Sequence, residues 1–272
     1  MLSINPFAAA GASLPAGFLQ WFLVVMALAV VIGTLFDVVH KGSARYFFAN
    51  MRASRAKGRQ VGGGEAASIA LRTAVVDVLA SGEFCNARRR VAHLLGMYGF
   101  ILYLVATVVL VFCYPNEAMP PVWPTLWWIG AIMVLVGCYW FWFFIRVDVA
   151  AEGRSPFRLV KADLFVLSLL ASVTLGVLWA AVGTAVGLLF WLYLLATIVL
   201  FFGVPWSKFA HMFFKPAAAF DKRMSVASGV AENLPTLTRD DPEQRKRHSM
   251  ELLHDAPMDM GLGIKREAPR HY

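Results

Sequence analysis

Histidine carries most of the chemical scope in this 272-residue chain, which holds six of them. His248, His254 and His271 lie in a polar C-terminal stretch, where the plain reading is a solvated ring. The other three stand at the borders of long apolar blocks. His40 ends the first block, and His93 opens the second, just after Arg88-Arg89-Arg90. His211 follows the fifth, in Ser207-Lys208-Phe209-Ala210-His211-Met212-Phe213-Phe214-Lys215-Pro216. Two imidazoles on different helices at one depth can clamp a haem iron from both faces, because a neutral ligand is buried at modest cost. Arg90, its neighbours Arg88 and Arg89, and Lys208 are placed to meet the anionic propionates of such a group. The plainer alternative is a histidine at a helix end resting in the headgroup layer, and composition alone favours it. No G-x-S-x-G, H-E-x-x-H or P-loop pattern is present. The three cysteines, Cys85, Cys113 and Cys138, are far apart and form no C-x-x-C pair, which argues against a cluster or structural zinc built by this chain alone.

The elements that would position these residues are membrane helices. The chain is 59% hydrophobic and only 15% charged, too apolar for an ordinary soluble domain. Crossing a bilayer takes about 20 apolar residues in a helix. Five blocks qualify: Gly17 to about Val39, Val91 to Cys113, Trp123 to Ile145, about Leu164 to Val182, and about Gly187 to Val204. The fifth has scope to run past Pro205 toward His211. The expected fold is an all-α membrane protein, a bundle of five transmembrane helices. All 25 Lys and Arg fall in three places: the loop 40–90, the segment 146–162, and the stretch from Lys208 onward. The positive-inside rule then places the N-terminus outside and the C-terminus in the cytoplasm, as an odd helix count also requires. The net charge of +8 fits anionic lipid better than nucleic acid, since the cations flank apolar blocks.

Three regions result: a periplasmic N-terminus over 1–16, a transmembrane domain over 17–216 with a cytoplasmic loop at 41–90, and a cytoplasmic tail over 217–272. Within the loop, Arg52 to Gly64 is basic and Gly-rich and reads as mobile. Glu65 to Leu79 reads as a short helix lying on the membrane. The polar tail from Lys222 reads as an extended segment, with a short helix possible over Glu243 to His254.

The two histidine segments carry a resemblance. Arg90-Val91-Ala92-His93-Leu94-Leu95-Gly96-Met97-Tyr98-Gly99-Phe100, a His followed six residues later by Gly-Phe, resembles the second-helix motif of the nitrate reductase gamma-subunit-like cytochromes b. That group includes the membrane subunit of the quinone-interacting oxidoreductase complex. Ser207 to Phe213 with Pro216 resembles its fifth-helix motif. The resemblance implies one b-type haem near the cytoplasmic face, with His93 and His211 as axial ligands of the iron and His40 in reserve. Where the family carries a second histidine pair, this chain has Tyr103 and Tyr193. It further implies a bacterial inner-membrane subunit of an oxidoreductase complex, not a stand-alone enzyme. Such a subunit passes electrons between membrane quinone and cytoplasmic flavin and iron–sulfur proteins docked on loop 41–90 and tail 217–272. In small size and lack of clusters the chain is similar to the membrane anchor subunit that accompanies adenylylsulfate reductase, which implies that reductase as the partner and a place in sulfur metabolism.

A quinone site needs an apolar slot and a group that handles protons. Lys161, Asp163, His40 and Lys208 are the candidates at the inner boundary, although a carboxylate at a helix start such as Asp163 is more simply a cap. The rival reading is a haem-free membrane anchor. A solute transporter would show inverted repeats and broken helices at mid-membrane, and an intramembrane enzyme would need buried acid–base pairs. Neither pattern is present.

Overall fold

The computed structural model describes residues 3–41, 43–82, 84, 87–115, 119–147, 155–207 and 211–230. Nine α-helices are present among them, and no strand. They are α1 (Pro6–Ser13), α2 (Phe18–Lys41), α3 (Ser43–Lys57), α4 (Gly63–Arg72), α5 (Ala87–Phe112), α6 (Val122–Trp140), α7 (Leu164–Val182), α8 (Leu188–Phe202) and α9 (His211–Ser228). Helix α4 continues as a wider π-type turn over Thr73–Leu79, and α6 continues likewise over Phe141–Ile145. The chain divides into two compact units, residues 1–44 with 80–215, and residues 45–79 with 216–272.

In the first unit, four helical stretches are long and apolar enough to cross a membrane: Phe18–His40, Ala87–Phe112, Val122–Ile145 and Lys161–Val182. A fifth apolar helix, Leu188–Phe202, is shorter. The expected continuation of that fifth block through Pro205 does not occur. Gly203 ends α8, and a single tight 3-10 turn over Val204–Trp206 follows. Proline lacks the N–H that a continuing helix needs, which accounts for the break.

Small residues set the closest crossing. A Cβ on Gly99 would lie 2.7 Å from the Val134 nitrogen, and one on Gly137 would lie 2.7 Å from the Ala92 oxygen. Helices α5 and α6 therefore touch backbone to backbone, which in lipid replaces the hydrophobic drive as the source of association. Around this seam sits a buried core that includes Trp127, Trp179, Phe190, Leu110 and Val134.

Residues 3–16 are more than an approach to the first span. Phe7 of α1 packs in that core, 6.0 Å from the Trp127 ring and 5.6 Å from the Trp179 ring. The Asn5 Nδ2 donates to the carbonyls of Leu110 at 3.2 Å and Tyr114 at 2.9 Å. Gln20 Nε2 donates to the Val111 carbonyl at 3.0 Å. These are the orphan carbonyls that every helix C-terminus leaves, so α1 and the start of α2 cap the end of α5.

The second unit differs more from expectation. The stretch read as mobile from Arg52 is helical as far as Lys57, in α3. The helix read over Glu65 to Leu79 is present as α4 and its π-type turn. Helix α9 runs on to Ser228 through Pro216, so the polar segment does not begin its extended course at Lys222. Two bidentate ion pairs staple the unit. Arg223 donates to both oxygens of Asp77 at 2.7 and 2.9 Å, and these hydrogen bonds hold the Asp77 carboxyl below its ordinary value. Arg59 donates to both oxygens of Glu65 at 2.9 and 2.7 Å and to the Ala227 carbonyl at 2.9 Å, with the same effect on Glu65. The short helix read within 243–254 falls outside the described residues.

Candidate functional site

Among the described residues, the buried charged groups of the first unit lie at one end, where α2 and α6 finish and α5 and α7 begin. The segment before α5 turns at Ser81, which is 2% exposed and has φ of 49°. A residue with a Cβ adopts that left-handed conformation at a cost of roughly 1–2 kcal/mol, so something local must hold it. Part of that hold is the Ser81 hydroxyl, 3.1 Å from His93 Nδ1. The Arg90 Nε also donates to the Ala80 carbonyl at 2.8 Å. Phe84 lies against the His93 ring at 4.8 Å, and Lys215 Nζ stands 5.7 Å over the Phe84 ring. His93 is thus oriented by a hydroxyl on one nitrogen and an aromatic ring on one face, with cations beside it.

Arg146, at the end of α6, is wholly enclosed. Its guanidinium donates to the Ser155 carbonyl at 2.7 Å, the Arg158 carbonyl at 2.7 Å and the Asp163 carboxylate at 2.5 Å. It also lies 4.2 Å over the Trp142 ring, while its Nε has no partner. The Asp163 carboxylate accepts from the Val160 N–H at 2.9 Å as well. Asp163 therefore stands buried at the start of α7 with no side-chain cap bond to that helix, and it is the acceptor that neutralises Arg146. A buried pair of this kind contributes little net stability, but it is costly to break from one side.

Deeper in the bundle, Tyr103 of α5 and Tyr193 of α8 meet hydroxyl to hydroxyl at 3.0 Å. Trp127 Nε1 donates to Thr107 Oγ1 at 3.1 Å, and Ser172 and Thr197 share a hydrogen bond of 2.7 Å. These neutral groups are hydrogen-bonded to one another, while the buried Thr34 Oγ1 has no partner among the described residues. Among the described residues the buried charged side chains are Asp37, Arg146 and Asp163, all within the last or first turns at the same end.

The sequence-derived candidates are only partly brought together. His93 and Arg90 share the α5 entrance. His40 lies at the end of α2, exposed and stacked on Phe36 with ring centres 5.3 Å apart. Lys161 is exposed on the turn that leads into α7. His211 opens α9, but its side chain lies outside the described residues, as does Lys208. The expected pairing of His93 with His211 therefore lies outside the described residues. Among the described residues, no group of three or more His, Cys, Asp or Glu could hold a metal ion. Ser81 and Phe84 were missed from the sequence because Ala80-Ser81-Gly82 reads as ordinary loop. Arg146 was counted only as a topology charge because its partner is 17 residues away.

Comparison with known proteins changes the family. A family model described as CitB, citrate utilization protein B, matches residues 65–231. The chain is 31% identical over 166 residues to citrate utilization protein B of Escherichia coli, covering 56% of this chain and 43% of that protein. It thus spans less than half the length of this curated relative. No solved structure matches. These matches overturn the resemblance to the nitrate reductase gamma-subunit-like cytochromes b. With it go the adenylylsulfate reductase assignment, the place in sulfur metabolism and the haem-based transfer of electrons to quinone. The structure gives a physical reason for the misreading. In the His93-to-Phe100 motif, Gly99 is required by the α5–α6 backbone contact and His93 is engaged by Ser81, so helix packing and a helix-end contact suffice to produce the pattern. Because the family model covers more than half of the 272 residues, the chain belongs to the citrate utilization protein B family.

Proposed function

We propose that this chain is the membrane-integral component of a citrate-utilisation system, and that it does not itself conduct citrate. The observation that carries the reading is the family match over 65–231, which includes α5 to α8 of a bundle whose buried charges, among the described residues, lie at one end. A multiply charged carboxylate crossing a membrane needs cations along its path, since an unpaired charge in a low-dielectric interior is strongly disfavoured. Here the one buried cation among the described residues, Arg146, is already matched by Asp163. The role in citrate use is therefore assigned to the surfaces of the protein.

In this reading the chain crosses the membrane five times, with the N-terminus outside and the C-terminus in the cytoplasm of a bacterial cell. Helix α8 has 15 residues, about 22 Å of rise, and the apolar stretches on either side of it supply the remaining thickness. Soluble proteins of the same system dock on loop 41–90 and tail 217–272, where most of the Lys and Arg lie. The test is growth of a strain of the source organism from which the chain has been deleted. Growth on citrate as sole carbon source is expected to fail and to return when the chain is supplied. Growth on acetate is expected to be unaffected. Normal growth of the deletion strain on citrate would remove the proposal.

A further inference from the structure

The second unit is built with its polar side inward. Along α4 and its π-type turn, Ile69, Thr73 and Asp77 follow at four-residue steps and are turned into the unit, with Thr73 3% exposed and Asp77 held by Arg223. On the opposite side, at the same step, come Leu71, Val75 and Leu79, which are 67%, 49% and 50% exposed. Three residues at this four-residue step share one face of the helix and its π-type continuation. A soluble helix buries such a stripe and exposes its carboxylate. This one does the reverse, which is the arrangement suited to an apolar surrounding.

Charge points to the nature of that surrounding. The stretches 45–79 and 216–230 hold eight Lys and Arg against Glu65, Asp77 and Asp221. Both acids on the α4 segment are already spent on Arg59 and Arg223. Helix α3 presents Arg45, Arg52 and Arg55 on its exposed surface, interleaved with Tyr46 at 77% and Phe48 at 49% exposure. Cations with long apolar stems beside amphipathic aromatics are the residue types that settle at a lipid headgroup layer. The chain passes between this unit and the first at 44/45, 79/80 and 215/216, and the first unit holds the helices long and apolar enough to cross a membrane.

We propose that the 45–79/216–230 unit is an interfacial module that inserts the Leu71–Val75–Leu79 stripe into a leaflet of anionic phospholipid, with Arg45, Arg52 and Arg55 among the phosphates. The attraction to anionic lipid adds to apolar burial, and it weakens where the headgroups are neutral. This goes beyond the citrate reading and does not depend on it.

The test uses the full chain in nanodiscs, with its three cysteines replaced by alanine and a nitroxide placed at Val75→Cys, at Leu79→Cys or, as the aqueous reference, at Gln60→Cys. Each variant is first required to give the monodisperse profile of the unsubstituted chain. Collision with dissolved oxygen, which partitions into lipid, is compared with collision with a water-soluble nickel chelate. In phosphatidylglycerol discs the ratio of oxygen to nickel collisions at positions 75 and 79 is expected to be several-fold above that at 60. It is expected to fall toward the reference in phosphatidylcholine discs. A ratio at 75 and 79 equal to that at 60 in anionic discs would overturn the insertion. Labels shielded from both probes would also overturn it, showing a protein cover in place of lipid. Equal insertion in both lipids would overturn the anionic preference.

Discussion

Single side chains at the basic end do most of the organising in the first unit, and Arg146 is the clearest case. Replacing it by alanine leaves Asp163 buried without its cation, a loss of about 3–5 kcal/mol in comparable settings. Arg146→Ala is therefore expected to lower the thermal midpoint of the detergent-solubilised protein sharply. Arg146→Met combined with Asp163→Leu is expected to recover much of it, and equal midpoints for the single and double variants would contradict the pairing. The Tyr103–Tyr193 contact makes a milder claim. Interhelical hydrogen bonds in membranes are worth about 0.6 kcal/mol on average, so each single Phe substitution is expected to cost on the order of that amount. A double variant that costs less than the sum of the two singles would show the coupling; strict additivity would deny it. Both tyrosines stood out in the sequence as residues in place of histidine. Their meeting was not legible, because 90 residues separate them and nothing in the spacing aligns α5 with α8.

At the scale of elements, hydropathy disclosed the long helices well. An apolar run of some 20 residues has few other solutions in a bilayer, and Phe18–His40, Ala87–Phe112, Val122–Ile145 and Lys161–Val182 all follow from it. Polar helices lack that signal, so α3 was read in part as mobile loop. Their stability comes from cross-links between distant residues, such as Arg223 with Asp77, 146 positions apart. Arg223→Gln is expected to open the second unit at neutral pH, seen as faster limited proteolysis within 59–79. The same opening should occur in the unsubstituted chain under acid. The folded Asp77 carboxyl lies below its ordinary value because Arg223 donates to it. Its stabilising contribution is therefore complete above about 3.9, the unfolded aspartate value, and is lost as the pH falls through the lower folded value. Pepsin digestion across that range is the check, and protection that rises with falling pH would contradict the assignment. Gly130→Val tests the α5–α6 seam, since a Cβ there already meets the Tyr103 nitrogen at 2.5 Å. Loss of folded protein is expected on expression, whereas normal yield and midpoint would mean that the helices do not cross so closely.

At the scale of the whole molecule, two short motifs misdirected the family assignment. A histidine at a helix entrance and a glycine at a helix crossing are what any packed membrane bundle supplies, and only a match spread over 65–231 separates one such bundle from another. The proposed function separates a part in citrate use, to which the family points, from passage of citrate through the bundle. That division can be read directly by comparing citrate consumption by intact cells with initial citrate uptake into right-side-out membrane vesicles, each with and without the chain. The account predicts that deletion abolishes consumption and leaves the initial uptake rate unchanged. Loss of uptake in parallel with consumption, restored by the purified chain alone in proteoliposomes, would show that the bundle conducts citrate and would contradict it.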